Sequence, residues 1–190
     1  ITSSMLLLRR IYRKLIEKRS KFSSFLRILR LKISYPSLEI NFGSYVDKGC
    51  HITCSDDSRM ILHDVIIGKY ATLRADSGGC LKIENTYIGH LSTIVASQKI
   101  TIEAFCEIAE MVVIRDQDHI YGTGKIRNSG NICSPILIEE NVWLGAKSSV
   151  FKGVTIGKNS VVAGSAVVTK NIPSSEVWAG IPAVKMNRKS

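Results

Sequence analysis

Three side chains suited to proton transfer, Asp116, Asp118 and His119, fall within four positions of one another in the stretch IRDQDHIYGTGKIRNSGNICSP, residues 114–135. A free imidazole titrates near 6.5, so at physiological pH it can take a proton from a hydroxyl. Such a base needs its second nitrogen held so that the right tautomer faces the reactant. Glu110, Asp116 and Asp118 are all candidates for that task, and the sequence does not choose among them; each also reads as an ordinary surface carboxylate of a loop. A lone histidine among polar residues is, by itself, more often solvated than catalytic. His90, directly after Gly89, reads as a surface residue, and His51 and His63 carry no signal. The cysteines Cys50, Cys54, Cys80, Cys106 and Cys133 form no C-x-x-C pair and show no metal spacing with the histidines. No metal site is expected, and the cysteines read as reduced thiols of a cytosolic protein.

The stretch around His119 interrupts something regular. From Ile138 onward an aliphatic residue recurs at Leu144, Val150, Ile156, Val162 and Val168, six apart each time. The same spacing joins Ile67 to Leu73, Ile88 to Ile94 and Ile100, and Ile102 to Ile108 and Ile114. A strand alternates with period two and a helix turns every 3.6 residues, so a strict six fits neither alone. It fits a short strand plus a tight corner, repeated, with stacked coils burying each aliphatic residue in a ladder. The expectation is a parallel β-helix with triangular coils of three hexads. Gly145, Gly157 and Ala163 follow ladder residues directly, as crowded corners would require. The segment about 115–135 has three glycines, two asparagines and a proline, and must leave the stack as an excursion loop.

The 190 residues, 45% hydrophobic, are one domain's worth of chain and enough for a sizeable core. The charge is uneven: residues 1–40 hold ten Lys and Arg against Glu17 and Glu39, which is +8 of the net +10. Setting aside the four residues before Met5 as an expected expression remnant, residues 5–35 read as a basic amphipathic helical segment, one helix or two breaking near Ser20. Its apolar stripe of Leu8, Ile11, Leu15, Phe22, Phe25 or Leu26, and Leu29 could pack on the remainder of the protein or on a sister subunit. It could equally lie on an anionic membrane surface through residues 5–32. With few aromatics and no reader motif, nucleic acid is not an expected partner.

The run SPILIEENVWLGAKSSVFKGVTIGKNSVVAGSAVVTKNIP, followed by WAGIPA, resembles the hexapeptide-repeat acyltransferases, in particular the branch of maltose, galactoside and polysaccharide O-acetyltransferases. The resemblance covers roughly residues 40–188. It implies a mainly β chain, a left-handed parallel β-helix over residues 36–188 with an N-terminal amphipathic helix. It implies acetyl-CoA as donor and direct attack by an acceptor hydroxyl, with His119 at the position of the family's catalytic base. It places Trp143 beside the pantetheine arm, and Gly145, Gly164, Thr169 and Lys170 along the coenzyme A groove. Ala146 takes the position whose backbone amide stabilises the oxyanion, and Lys185 and Arg188 lie near the nucleotide phosphates. It further implies a homotrimer with its sites between subunits. The expected acceptor is a saccharide, such as a sugar of a bacterial capsule or O-antigen or its precursor, acetylated in the cytoplasm or at the inner face of its membrane. A small acceptor (serine, an antibiotic or a nucleotide-linked amino sugar) and a non-catalytic β-helical assembly module are the alternatives. A zinc β-helix of the carbonic anhydrase type lacks its close histidine pair here.

Overall fold

The computed structural model describes residues 3–122 and 124–187. One helix, Ser3–Ser34, leads into a solenoid of short strands that form three parallel walls. The first wall stacks Leu38–Ile40, Arg59–His63, Cys80–Glu84, Lys99–Ile102, Ile136–Ile138 and Thr155–Ile156. The second begins at Tyr45–Val46 and the third at His51–Cys54, so each coil visits the three walls in order. The spacing of six is thus the step from one wall to the next: Ile138, Leu144 and Val150 sit on the first, second and third walls. The next coil repeats this with Ile156, Val162 and Val168, directly paired with them and all at most 1% exposed. Every inward rung therefore adds an aliphatic side chain to one continuous core, and each fully buried one contributes on the order of 1.5–3 kcal/mol.

Coils of three hexads hold only from Ile136 onward. Ile138 pairs with Ile156, eighteen residues on, whereas Leu73 pairs with Ile94, twenty-one residues on. The early coils are longer because extra residues, such as Asp76–Gly79, bulge at the corner between the third and first walls. The corner glycines also act differently from the expectation. Gly145 does not take a left-handed φ; the positive φ falls on Lys147, at 62°. Gly145 is there for space, since a Cβ on it would lie 2.5 Å from the amide nitrogen of Gly164 in the next coil.

The column of residues at the second-to-third corner contains Ala71, Ser92, Val112, Ser148 and Ala166, all buried. Ser92 Oγ donates to Ala109 O at 2.9 Å and accepts the Val112 amide at 3.2 Å. Ser148 Oγ is buried with no partner among the described residues. A buried hydroxyl without a bond is a cost, and the next coil already holds alanine at this place. Ser148→Ala is therefore expected to leave stability unchanged or raise it by up to about 1 kcal/mol, read from the thermal unfolding midpoint.

The N-terminal segment is one helix with no break at Ser20. Its C-terminal half lies across the open end of the first coil, where wall edges would otherwise present unpaired backbone groups. Ser24 Oγ accepts the Val46 amide at 2.8 Å, Arg27 donates to Val46 O at 3.0 Å, and Lys32 donates to Ile40 O at 2.9 Å. Ile28, 1% exposed, inserts into the core from above. At the other end Val177–Ala179 and Val184–Lys185 pair antiparallel and close the second wall.

Candidate functional site

The excursion is an ordered hairpin at its base. Gln117–His119 runs antiparallel to Asn131–Cys133, with His119 opposite Asn131. The hairpin continues the third-wall strand Val113–Arg115 and leaves the stack at the third-to-first corner of the fourth coil. Gln117 Oε1 ties the strands together, accepting from Asn131 Nδ2 at 2.9 Å and from Ser97 Oγ at 2.6 Å. His119 is exposed, and neither ring nitrogen has a hydrogen-bond partner among the described residues. Lys125 and Arg127 are exposed farther out on the same hairpin.

Asp116 is not the surface carboxylate expected. It is fully buried, at the inward position held by Cys54, Ala75 and Ala96 in the coils before it. In those coils the amides of Ser55 and Asp76 each donate at 3.0 Å to a carbonyl of the next coil, Ala75 O and Ala96 O. At Asp116 the main chain has turned away, and its carbonyl accepts the Ser134 amide at 2.9 Å where the excursion returns. The side chain takes over: Oδ1 accepts the Ser97 amide at 2.8 Å, and Oδ2 accepts those of Gln98 and Lys99 at 2.8 and 2.7 Å. Both oxygens are committed to the corner, so Asp116 supports the hairpin's root rather than the imidazole.

Asp118 is also engaged elsewhere. Its Oδ2 accepts from Lys152 Nζ at 2.5 Å, a contact spanning two coils. Adjacent residues of a strand face opposite ways, so this carboxylate points away from the His119 ring. Glu110 lies at the second-to-third corner, where its carbonyl accepts the Lys147 amide at 2.9 Å. None of the three expected carboxylates orients His119 within one chain. Lys152 was missed by sequence reading, and counting rungs does not find this contact. Ile114 pairs with Val150, which sets Lys152 level with Asp116; the hairpin's departure from the stack brings Asp118 to it instead.

The remaining residues expected around a donor divide among different edges of the triangle. Thr169 and Lys170 are exposed at the third-to-first corner, two coils beyond the hairpin. Gly145, Ala146 and Gly164 line the second-to-third corner. Trp143 stands 54% exposed on the second wall, between Glu107 and Val161. Lys185, also on that wall, donates to Glu176 Oε1 at 2.5 Å; this ammonium, then the Trp178 indole N–H, holds the Glu176 carboxyl below its usual range. Arg188 lies outside the described residues. One chain thus does not bring His119 and Trp143 together.

Residues 135–170 match the family model described as the hexapeptide repeat of succinyl-transferase. A "Probable acetyltransferase" of Mycobacterium tuberculosis is 32% identical over 168 residues, which is 86% of this chain and 56% of that protein. The galactoside O-acetyltransferase of Escherichia coli is 38% identical over 99 residues, 52% of this chain and 48% of that enzyme. The chain thus spans about half the length of these curated relatives. Among solved structures, an N-acyltransferase from Bacillus cereus, in complex with dTDP-4-amino-4,6-dideoxyglucose and coenzyme A, superposes with a TM-score of 0.69 at 16% identity, over 86% of this chain and 89% of that one. A hexapeptide-repeat acetyltransferase from Vibrio cholerae, complexed with acetyl coenzyme A, gives 0.53 at 24% identity, over 80% of this chain and 70% of that one. At these identities the two structures speak for the fold alone.

Proposed function

Because this chain resembles the hexapeptide-repeat acyltransferases, we propose that it is a member of that family and transfers an acetyl group from acetyl-CoA to a hydroxyl of a saccharide, with His119 as the general base. The observation that carries the reading is the placement of His119: exposed, without a partner among the described residues, and set on a hairpin whose root is fixed by a buried carboxylate. The imidazole takes the hydroxyl proton as the oxygen attacks the thioester carbonyl. The C–S bond breaks as the tetrahedral intermediate collapses, and the imidazolium returns its proton to the departing thiolate. No acyl-enzyme is required. The developing oxyanion needs a preorganised donor, and with Ala146 at the expected position the backbone amide alone serves.

Since His119 and the expected donor residues Trp143, Gly145, Ala146 and Gly164 occupy different edges of one solenoid, the site closes between two copies of the chain. A trimer satisfies this by placing the third-to-first corner of one copy against the second wall of the next. Trp143, exposed on that wall, then flanks the pantetheine arm. Trp143→Ala is expected to raise the KM for acetyl-CoA about tenfold, since an aromatic wall of this kind is worth on the order of 1–2 kcal/mol, with kcat much less affected. Steady-state kinetics with acetyl-CoA varied at saturating acceptor would show it.

The long hairpin, with Lys125 and Arg127 exposed on it, suits a large or acidic acceptor such as a capsule or O-antigen oligosaccharide. The deciding experiment combines calorimetric titration of acetyl-CoA with thiol release across an acceptor panel. The panel includes these oligosaccharides, serine and a nucleotide-linked amino sugar. Release that depends on an oligosaccharide supports the reading; release only with the amine moves the acceptor class. No acetyl-CoA binding at all would leave a β-helical scaffold.

A further inference from the structure

The N-terminal helix turns its apolar stripe away from the protein it caps. At 100° per residue, Leu15, Phe22, Leu26, Leu29 and Ile33 fall within about 60° of one another on the helix. All are between 40% and 74% exposed. The face that meets the solenoid is the opposite one, carrying Ser24, Arg27 and Ile28. The usual reason for such a stripe, packing on the chain's own core, is therefore ruled out by the contacts. Phe25 continues the patch onto the first coil by stacking on Phe42 with ring centroids 5.1 Å apart, and both rings are half-exposed.

The stripe is bordered by cations on both sides. Lys14, Lys18 and Lys21 lie along one flank and Arg19 and Arg30 along the other, all exposed. Glu17 is the single acidic residue of the helix, and by the same angular count it lies on the solenoid-facing side. A second copy of the helix laid against this face would bring like charges together along its length, with no carboxylate to offset them. A nucleic acid would satisfy the cations but leave the leucines and phenylalanines unburied. Among the described residues no helix is long and apolar enough to cross a bilayer. An apolar strip between two basic borders matches a surface that is anionic at the headgroups and apolar just beneath, with the long Lys and Arg stems reaching back to the phosphates.

We propose that this helix docks the protein on an anionic membrane surface, apolar stripe inward, with the solenoid standing away from the lipid. The inference rests on the outward stripe and its charged borders and does not depend on the acyl-transfer reading. Its test is co-sedimentation of the full chain with phosphatidylcholine vesicles, with and without about one third phosphatidylglycerol. Leu15→Gln/Phe22→Gln/Leu26→Gln and Lys14→Gln/Lys18→Gln/Arg19→Gln are compared with the wild type, together with light-scattering mass and thermal unfolding. The wild type is expected to bind the anionic vesicles and not the neutral ones. Each triple variant is expected to lose about tenfold or more in partitioning, with mass and unfolding midpoint unchanged. Equal binding to neutral vesicles, or no binding by the wild type, overturns the proposal. So does an apolar variant that binds like wild type, or one that loses subunits, which would make the stripe an interface between copies.

Discussion

His119→Ala is expected to lower acceptor-dependent thiol release from acetyl-CoA by about 10²–10⁴-fold, the range of a lost general base. The ring is exposed and makes no hydrogen bond within the described residues, so its removal should leave the fold as it was. Three readouts separate loss of chemistry from loss of structure: turnover, calorimetric affinity for acetyl-CoA and the unfolding midpoint. Only the first should move. A fall in all three would place His119 in the scaffold, and an unchanged turnover would remove it from the reaction. The effect should also fall on kcat at saturating acceptor, because the proton moves in the transition state and contributes little to ground-state binding.

Asp116→Ala should act through stability. It strips three backbone amides, of Ser97, Gln98 and Lys99, of their acceptor at a fully buried corner. A buried donor left unsatisfied costs about 1–3 kcal/mol, and hydrogen bonds to a charged group are at the strong end of the range. Local relaxation recovers part of this, so the expected loss is about 3–5 kcal/mol. In a chain of this size that corresponds to a fall of roughly 10 °C in the unfolding midpoint. Asp116→Asn keeps the shape and one acceptor oxygen and should lose about half as much. Activity below the transition should fall too, since the hairpin root is what aims His119. A small stability change with complete loss of activity would instead give this carboxylate a direct part in the chemistry.

The two residues show how far the sequence could be read. The ladder from Ile138 to Val168 was legible because a stacked coil forces an aliphatic side chain inward at each wall, and nothing else produces a spacing of six. The excursion was legible because its glycines, asparagines and proline cannot continue such a stack. Asp116 was misjudged because its role depends on a hydrogen bond the chain fails to make elsewhere: its own carbonyl is diverted to Ser134. The Lys152 contact is hidden because its partner lies on the excursion: the rung pairing of Ile114 with Val150 sets Lys152 level with Asp116, and only the path of the hairpin brings Asp118 to it. The outward stripe on the helix was unreadable in another sense. Periodicity reports that an apolar face exists, whereas its direction is decided by Ser24, Arg27 and Lys32 finding the exposed edge of the first coil.

The stack also works as a ruler. The helix caps the first coil and the hairpin departs from the fourth, three coil steps farther on. Each step is one strand spacing, which sets the hairpin root about 14 Å from the first coil. A gene duplication that inserts one whole coil would raise His119 by a further increment of about 4.8 Å and leave the rung contacts of every other coil intact. Reach, in such a molecule, is inherited in whole units: a lineage can lengthen or shorten the distance between its helical cap and its hairpin without redesigning either end.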